Sequence, residues 1–280
     1  MRVDTATLVE RSSDRLRWDD LDIESFVNRP LDGLALRCIR YMHDVEFHTV
    51  CYLRDLLLTP AHSDARVTAF LNMWVYQEYW HGEALSAVLA AHGEAHGEER
   101  VSAVRKKLGP RDKARPLFMA LGGWIGGTDF TAVHMTWGAI NEWTTQTGYS
   151  QLSQHAAHPV LSELLKRIMR QEGRHIDFYA TEAADRLAAS TRAQRLTRMA
   201  LRRFWAPVGS GVMPEEEVNF LAGYLMGDEA GRTSARRIDR QIDRLPGLAG
   251  LRLVERATAS RIEGPRSTPT AGRLRVSQAA

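Results

Sequence analysis

Two glutamate–histidine pairs interrupt apolar helical stripes in this sequence and constrain its fold more than any other feature. Glu78 and His81 lie in the segment VYQEYWHGEAL, and Glu172 and His175 lie in RQEGRHIDFY. Because residues three positions apart share one face of a helix, each pair can present two ligands to one ion. A lone pair of this kind arises readily by chance, so its meaning depends on the sequence around it.

The surrounding sequence has the apolar periodicity of long helices. Apolar residues recur at alternating spacings of three and four through four segments, and the two pairs stand where core residues belong. This pattern predicts an all-α fold with a four-helix bundle at its centre, with Pro30 opening the first helix. The long helices are expected at 31–58, at 64–92, from 129 and from 159, and flanking helices at about 191–205, 214–227 and 230–244.

Two further glutamates complete the pattern. Glu46 and Glu142 lie on the apolar stripes of the preceding long helices, 32 residues before Glu78 and 30 residues before Glu172. An antiparallel helix pair needs such a separation to bring the positions level. Unpaired carboxylates facing a core would be costly, whereas two divalent ions would balance the four charges. The predicted metal ligands are therefore Glu46, Glu78, His81, Glu142, Glu172 and His175. The alternative is four exposed glutamates and two core histidines on ordinary bundle helices.

The composition is typical of a folded domain. With 280 residues, 44% of them hydrophobic, the chain can bury one sizeable core. Residues 1–29 are predicted to form an N-terminal arm, 30–263 the helical domain, and 264–280 a disordered tail. No apolar run approaches the ~20 residues that a membrane span requires. Since the N-terminus is polar and Cys38 and Cys51 lie among apolar residues, we expect a cytoplasmic protein.

Basic residues cluster in two places although the net charge is only +3. Either cluster suits the docking of an acidic carrier protein, and an ordinary solvated surface explains them equally well. No nucleic-acid-binding motif accompanies the charge, so nucleic acid is not an expected partner. The clusters are the segment with Arg105, Lys106, Lys107, Arg111, Lys113 and Arg115, and the helix face with Arg195, Arg198 and Arg202.

With its six candidate ligands, the sequence resembles the ferritin-like superfamily of dimetal carboxylate proteins over roughly residues 31–205. Within that superfamily the motifs are most similar to those of the soluble acyl-[acyl-carrier-protein] desaturases. RQEGRHIDFY resembles their second E-x-x-H segment, and QEYWHGEAL resembles the first. Thr145, one turn after Glu142, matches a threonine beside their dimetal site that is thought to assist dioxygen activation. The resemblance thus implies a ferritin-like four-helix bundle with Thr145 as a catalytic residue.

The resemblance also implies an activity, that of a non-haem di-iron oxidase. Two Fe ions, or an Mn/Fe pair, would activate O2 for desaturation or hydroxylation of an acyl or other lipophilic substrate, free or bound to a carrier protein. A ferredoxin-like donor would supply electrons, and the expected assembly is a homodimer. The alternative function is iron storage or peroxide detoxification without an organic substrate. A metal-free homologue with a structural role is a third reading.

Gln77 and Gln171 depart from the desaturase pattern, which usually has Asp or Glu just before each E-x-x-H. By analogy with the family, Gln77 should hydrogen-bond His175 and Gln171 should hydrogen-bond His81. The amide oxygen would still fix the tautomer of each histidine but would add no negative charge. We therefore expect less basic ligand histidines and a shifted metal potential.

Four other residues near the stripes are interpreted as structural. His43, one turn before Glu46, is expected to be a hydrogen-bonded core histidine rather than an extra ligand. His134, Trp74 and Tyr149 are likewise interpreted as core or helix-face residues.

Overall fold

The chain folds into α-helices joined by short connections. The computed structural model describes residues 14–262, together with Thr7 and Glu10. The predicted all-α class is confirmed for this part of the chain, whereas the tail predicted at 264–280 lies outside it. The helices are α1 (Ser25–Asn28), α2 (Gly33–Leu57), α3 (Ala65–Ala91), α4 (Gly97–Lys106), α5 (Pro110–Gly126), α6 (Asp129–Ala156), α7 (Pro159–Ala189), α8 (Thr191–Phe204), α9 (Glu215–Met226), α10 (Glu229–Asp243) and α11 (Leu253–Ile262).

Four long helices surround the core. α2 packs against α3 and α6 against α7, while α3 also contacts α7 and α2 contacts α6, so the four helices close a ring. Their apolar stripes meet inside it, as the heptad spacing predicts. The four helices therefore direct one stripe each toward a common interior.

Local sequence signals set where the long helices begin. The Asp32 carboxylate accepts hydrogen bonds from the backbone N–H groups of Leu34 and Ala35, both at 2.8 Å, so α2 begins at Gly33. The prediction that Pro30 opens this helix was wrong by three residues, because the aspartate satisfies the free N–H groups of the first turn. Of the two candidate caps in the sequence, Ser63 and Asp64, it is Asp64 that caps α3 in the same way.

The C-terminal third covers one side of the long helices. α8 packs on α6 and α7, and α9 contacts both α2 and α6. The three predicted flanking helices are confirmed within two residues at each end. α11 was not predicted; it packs against α9 and α10.

Residues 14–29 of the predicted arm lie on the surface of the helical core. Leu16 and Phe26 are buried, and Asp20 receives two hydrogen bonds from the Arg167 guanidinium, at 2.6 and 2.8 Å. The described part of the arm is thus fastened to α7. No helix of the part that the structure describes is long and apolar enough to cross a lipid bilayer.

Candidate metal centre

The six predicted ligands meet in the interior of the four long helices. Glu46 comes from α2, Glu78 and His81 from α3, Glu142 from α6, and Glu172 and His175 from α7. All six are buried, with no more than 6% of any residue exposed. The alternative of exposed glutamates is therefore wrong. The heptad stripes place these residues inward because each stands where an apolar core residue would otherwise be.

The ligand atoms form two overlapping groups that could each hold a metal ion. One group contains Glu46, Glu78, His81 and Glu172, and the other contains Glu78, Glu142, Glu172 and His175; within each group, the ligand atoms all lie within 4.8 Å of one another. Glu78 and Glu172 belong to both groups. The mixture of carboxylate oxygens and imidazole nitrogens suits divalent first-row metals such as iron, manganese and zinc.

Both imidazole rings direct Nδ1 toward the carboxylates. His175 Nδ1 lies 2.8 Å from Glu172 Oε2 and 3.2 Å from Glu78 Oε1. His81 Nδ1 lies 3.3 Å from Glu172 Oε1 and 3.8 Å from Glu46 Oε2. The same ring atom of each histidine is therefore available to an ion at the centre.

Several inward atoms form no hydrogen bond of good geometry among the described residues, although other ligand atoms lie 3.2, 3.3 and 3.8 Å from them. They are Glu46 Oε2, Glu78 Oε1, His81 Nδ1 and Glu172 Oε1. A buried polar atom without a partner destabilises a fold by about 1–3 kcal/mol. Four such atoms converging on one point are expected of ligands to a cation, so the residues present fit a bound metal.

The outer nitrogen of each ligand histidine is held by a glutamine. His175 Nε2 lies 2.9 Å from Gln77 Oε1, and His81 Nε2 lies 3.0 Å from Gln171 Oε1. The pairing expected from the family analogy is thus confirmed. Since an amide oxygen only accepts, each Nε2 carries a hydrogen, and Nδ1 is the ring nitrogen that can bind an ion once it has no proton.

The N-terminal arm fixes one of these glutamines. Gln171 Nε2 donates a hydrogen bond of 3.0 Å to the backbone oxygen of Asp14, and Arg174 on the next turn forms an ion pair with the Asp14 carboxylate at 2.7 Å. With its nitrogen engaged outside, the Gln171 amide must turn its oxygen toward His81. The arm therefore contributes to the position of a candidate ligand, which its polar sequence does not indicate.

Two aromatic donors hold the remaining carboxylates. The Tyr149 hydroxyl donates a hydrogen bond to Glu46 Oε1, and Trp74 Nε1 donates one of 2.9 Å to Glu142 Oε1. Each glutamate is thereby left with its second oxygen for an ion. The sequence interpretation of Tyr149 and Trp74 as core residues missed this role. The signal was present, since Tyr149 follows Glu142 by one heptad.

The metal-free cluster holds protons as well as charges. Burial, together with repulsion from the other carboxylates, raises the pKa of Glu78 and of Glu142 well above the usual range. Burial opposes the charging of His81, but Glu172 and Glu46 raise its pKa to about 10. Burial would also raise the pKa of Glu172, yet the two histidines lower it overall. A metal ion that binds here must therefore displace protons.

An apolar cavity reaches the cluster from the side of α9. Its empty volume is about 670 Å³, including the part open to solvent. Glu46, Thr145 and Tyr149 line its inner side, and Leu221 and Leu225 of α9 line the opposite side. Thr145, the predicted catalytic residue, is therefore in the cavity wall on the same side as a candidate ligand.

His43 and His134 lie outside both ligand groups. His43 Nδ1 lies 3.0 Å from Asp44 Oδ1 and Nε2 lies 2.9 Å from Ser86 Oγ, so the predicted role as a hydrogen-bonded core histidine is confirmed. Burial, with a smaller effect from Arg115, lowers the pKa of His134 to about 3. His134 is therefore a neutral core residue at physiological pH.

No protein-family model, curated protein or solved structure matches this chain.

Proposed function

We propose that this protein is a non-haem di-iron oxidase with a ferritin-like four-helix bundle, and that it desaturates or hydroxylates a lipophilic substrate. The observation that supports this best is the apolar cavity beside the six-residue cluster, because a storage site needs no pocket for an organic molecule. The two overlapping ligand groups support two ions, with Glu78 and Glu172 shared between them. Iron is proposed, with Mn/Fe as the variant composition.

The reaction requires a reductant. When bound, iron would supply the redox chemistry that reduces O2 and removes hydrogen from the substrate. Desaturation consumes O2, two electrons and two protons, removes two hydrogens from adjacent carbons, and forms two waters. Hydroxylation uses the same electrons and protons, inserts one oxygen atom into a C–H bond, and forms one water. We propose a small ferredoxin-like protein as the electron donor and a homodimeric, cytoplasmic enzyme.

Other residues of the chain orient the ligands, exclude water and transfer protons. Gln77 and Gln171 orient the ligand histidines, and Tyr149 and Trp74 orient two ligand carboxylates. The apolar cavity wall excludes water from the reacting carbon atoms. The Thr145 hydroxyl, in that wall, can donate or relay a proton between the cavity and the cluster.

The metal stoichiometry tests the site. We expect anaerobic loading with Fe(II) to give two ions per chain, and exposure to O2 to change the absorption and Mössbauer spectra. Glu172→Ala should lose both ions, whereas Glu46→Ala should lose mainly one, because Glu172 belongs to both groups and Glu46 belongs to one. The matched control is Glu182→Ala, which removes a glutamate of α7 that is equally buried but ion-paired to Arg66 at 2.7 Å.

A cavity variant separates an oxidase from a storage protein. Ala222 lines the outer side of the cavity on α9, so Ala222→Phe should fill it without touching a ligand. For an oxidase, the variant keeps two ions but no longer shows O2 consumption that depends on a lipophilic substrate. If wild type and variant both take up and mineralise iron identically, with no response to any acyl substrate, storage is the correct function. Binding of fewer than two ions by the wild type would refute the proposed site.

A further inference from the structure

Helix α5 carries a ridge of large apolar side chains that the rest of the protein does not cover. The ridge has five residues, separated by one, three, three and one positions, so all of them lie on one side of the helix within an arc of about 120°. Exposed apolar patches of this kind are rare on monomeric proteins and mark interaction sites. The ridge consists of Leu117, Phe118, Leu121, Trp124 and Ile125, which are 75%, 71%, 53%, 82% and 60% exposed.

The opposite side of α5 explains why the bulky side chains point outward. Gly122, Gly123 and Gly126 lie on that side, and a Cβ added at Gly123 would lie 2.9 Å from Pro60 Cδ. A Cβ at Gly126 would lie 2.9 Å from Phe130 Cβ. Because the helix backbone lies this close to its neighbours, rolling the apolar side inward would create severe clashes. The exposure of the ridge is therefore built into the packing of α5.

Positive charge surrounds the ridge. Residues 105–127 contain six basic residues and one acidic residue, and that one, Asp112, is buried beside His48 at 3.5 Å. Lys106, Lys107 and Lys113 are exposed and form no ion pair within the described residues. The charges of these three lysines are therefore not neutralised locally, whereas Arg115 is ion-paired to Asp55 at 3.1 Å.

Basic residues of α8 lie beside the far end of α5. The Arg192 guanidinium donates hydrogen bonds to the backbone oxygens of Gly126 and Ile125, at 3.0 and 2.9 Å. Arg195, on the next turn of α8, is exposed. Arg192 is also ion-paired to Asp129 at 2.9 Å, so the apolar ridge lies between the exposed lysines at one end and Arg195 at the other.

We propose that α5 binds to the surface of an anionic lipid bilayer, with the ridge in the interfacial layer and the lysines on lipid headgroups. A helix with Trp, Phe and Leu on one face and flanking Lys and Arg has the composition of interfacial helices. Each ridge residue is more than half exposed, so the ridge is convex. A bilayer accepts a convex ridge without a complementary groove, which a protein partner would need. A symmetric dimer through this face would bring two basic segments together.

Vesicle co-sedimentation tests the proposal, and it does not depend on the metal chemistry. We expect the full-length protein to bind 3:1 phosphatidylcholine–phosphatidylglycerol vesicles at low salt and to bind pure phosphatidylcholine vesicles at least about tenfold more weakly, since an anionic surface attracts the basic residues beside the ridge. Phe118→Ser/Trp124→Ser should lower binding about tenfold or more. Lys106→Glu/Lys107→Glu/Lys113→Glu should abolish the preference for anionic vesicles.

The control is Phe204→Ser, which removes an aromatic side chain that is 67% exposed at the other end of α8. It should bind anionic vesicles as the wild type does. Thermal unfolding and metal content, measured on every variant, separate lost membrane binding from lost folding or a failed metal site. The proposal is refuted if the wild type does not bind anionic vesicles, or if the ridge double variant binds them equally well. It is also refuted if the ridge double variant weakens only dimerisation, or only binding to an acidic carrier protein, and leaves vesicle binding unchanged.

Discussion

Replacing Gln77 by leucine should weaken metal binding without removing a single ligand atom. Gln77 Oε1 accepts the hydrogen of His175 Nε2 at 2.9 Å, and neither residue has any exposed surface. Leucine is similar in size but cannot accept a hydrogen bond. The imidazole then loses the group that fixes its tautomer, and water has no access to replace that group.

The size of the effect follows from the burial of the pair. Leaving one buried donor unpaired costs about 1–3 kcal/mol in the free energy of unfolding of the metal-free protein. Loss of the partner of a ligand histidine lowers metal affinity about 10–100-fold, which corresponds to about 1.4–2.8 kcal/mol. Competition with a chromophoric chelator, under anaerobic conditions for Fe(II) and in air for Mn(II), measures the affinity directly.

Gln151→Leu is the matched control. Gln151 is also a buried glutamine, but its Nε2 contacts Ser234 Oγ at 3.3 Å, and it belongs to neither ligand group. It should lower stability while leaving metal affinity unchanged. The reasoning fails if Gln77→Leu binds metal like the wild type, or if both variants weaken binding equally.

Three further perturbations have defined outcomes. Gly138→Ala should lower the free energy of unfolding by about 1–3 kcal/mol, because its Cβ would collide with the ring of Tyr179. Gly223→Ala should raise the free energy of unfolding by about 0.5–1 kcal/mol, because a Cβ there would meet no neighbouring group within 4 Å. Urea titration measures both changes. Metal affinity should rise with pH toward about 10, because His81 keeps its proton up to that pH and an ion must displace it. Calorimetry in buffers of different ionisation enthalpy should show proton release on metal binding. A pH-independent affinity would contradict the assignment of His81 as a metal ligand. Thr145→Val should reduce substrate-dependent O2 uptake about 100-fold, the lower end of what a positioned proton donor contributes, while metal content stays at the wild-type value.

The long helices could be predicted because their sequence signals are local. Heptad spacing and the Asp64 cap depend on residues within one or two turns of each other, so periodicity alone located α3 and α6 to within a residue or two. The start of α2 was misplaced because two local signals competed. Pro30 suits a first helical position, but the Asp32 side chain is the group that caps the first turn.

Other features depend on contacts that no local pattern encodes. The role of Gln171 depends on the backbone of Asp14, which is 157 residues away along the chain. The cavity exists only because α9 packs against α2 and α6, and the apolar run at 117–127 gave no indication of which side would face the solvent. Glycines on the other side of α5 decided that, since they allow the closest approach to the neighbouring helices.

The sequence by itself predicted that six buried ligands would face one another, because carboxylates placed on apolar stripes at matching separations are costly in a helical core unless they share a cation. The pairing of each glutamine with the opposite histidine was expected only by analogy with the family that the sequence resembles, and the hydrogen bonds of the structure show it. Only the tertiary structure decided which atoms face the centre, which aromatic donors hold the outer oxygens, and where an apolar cavity lies beside the cluster. Those properties depend on the distances between helices, and such distances are set by the packing of side chains that lie far apart in the sequence.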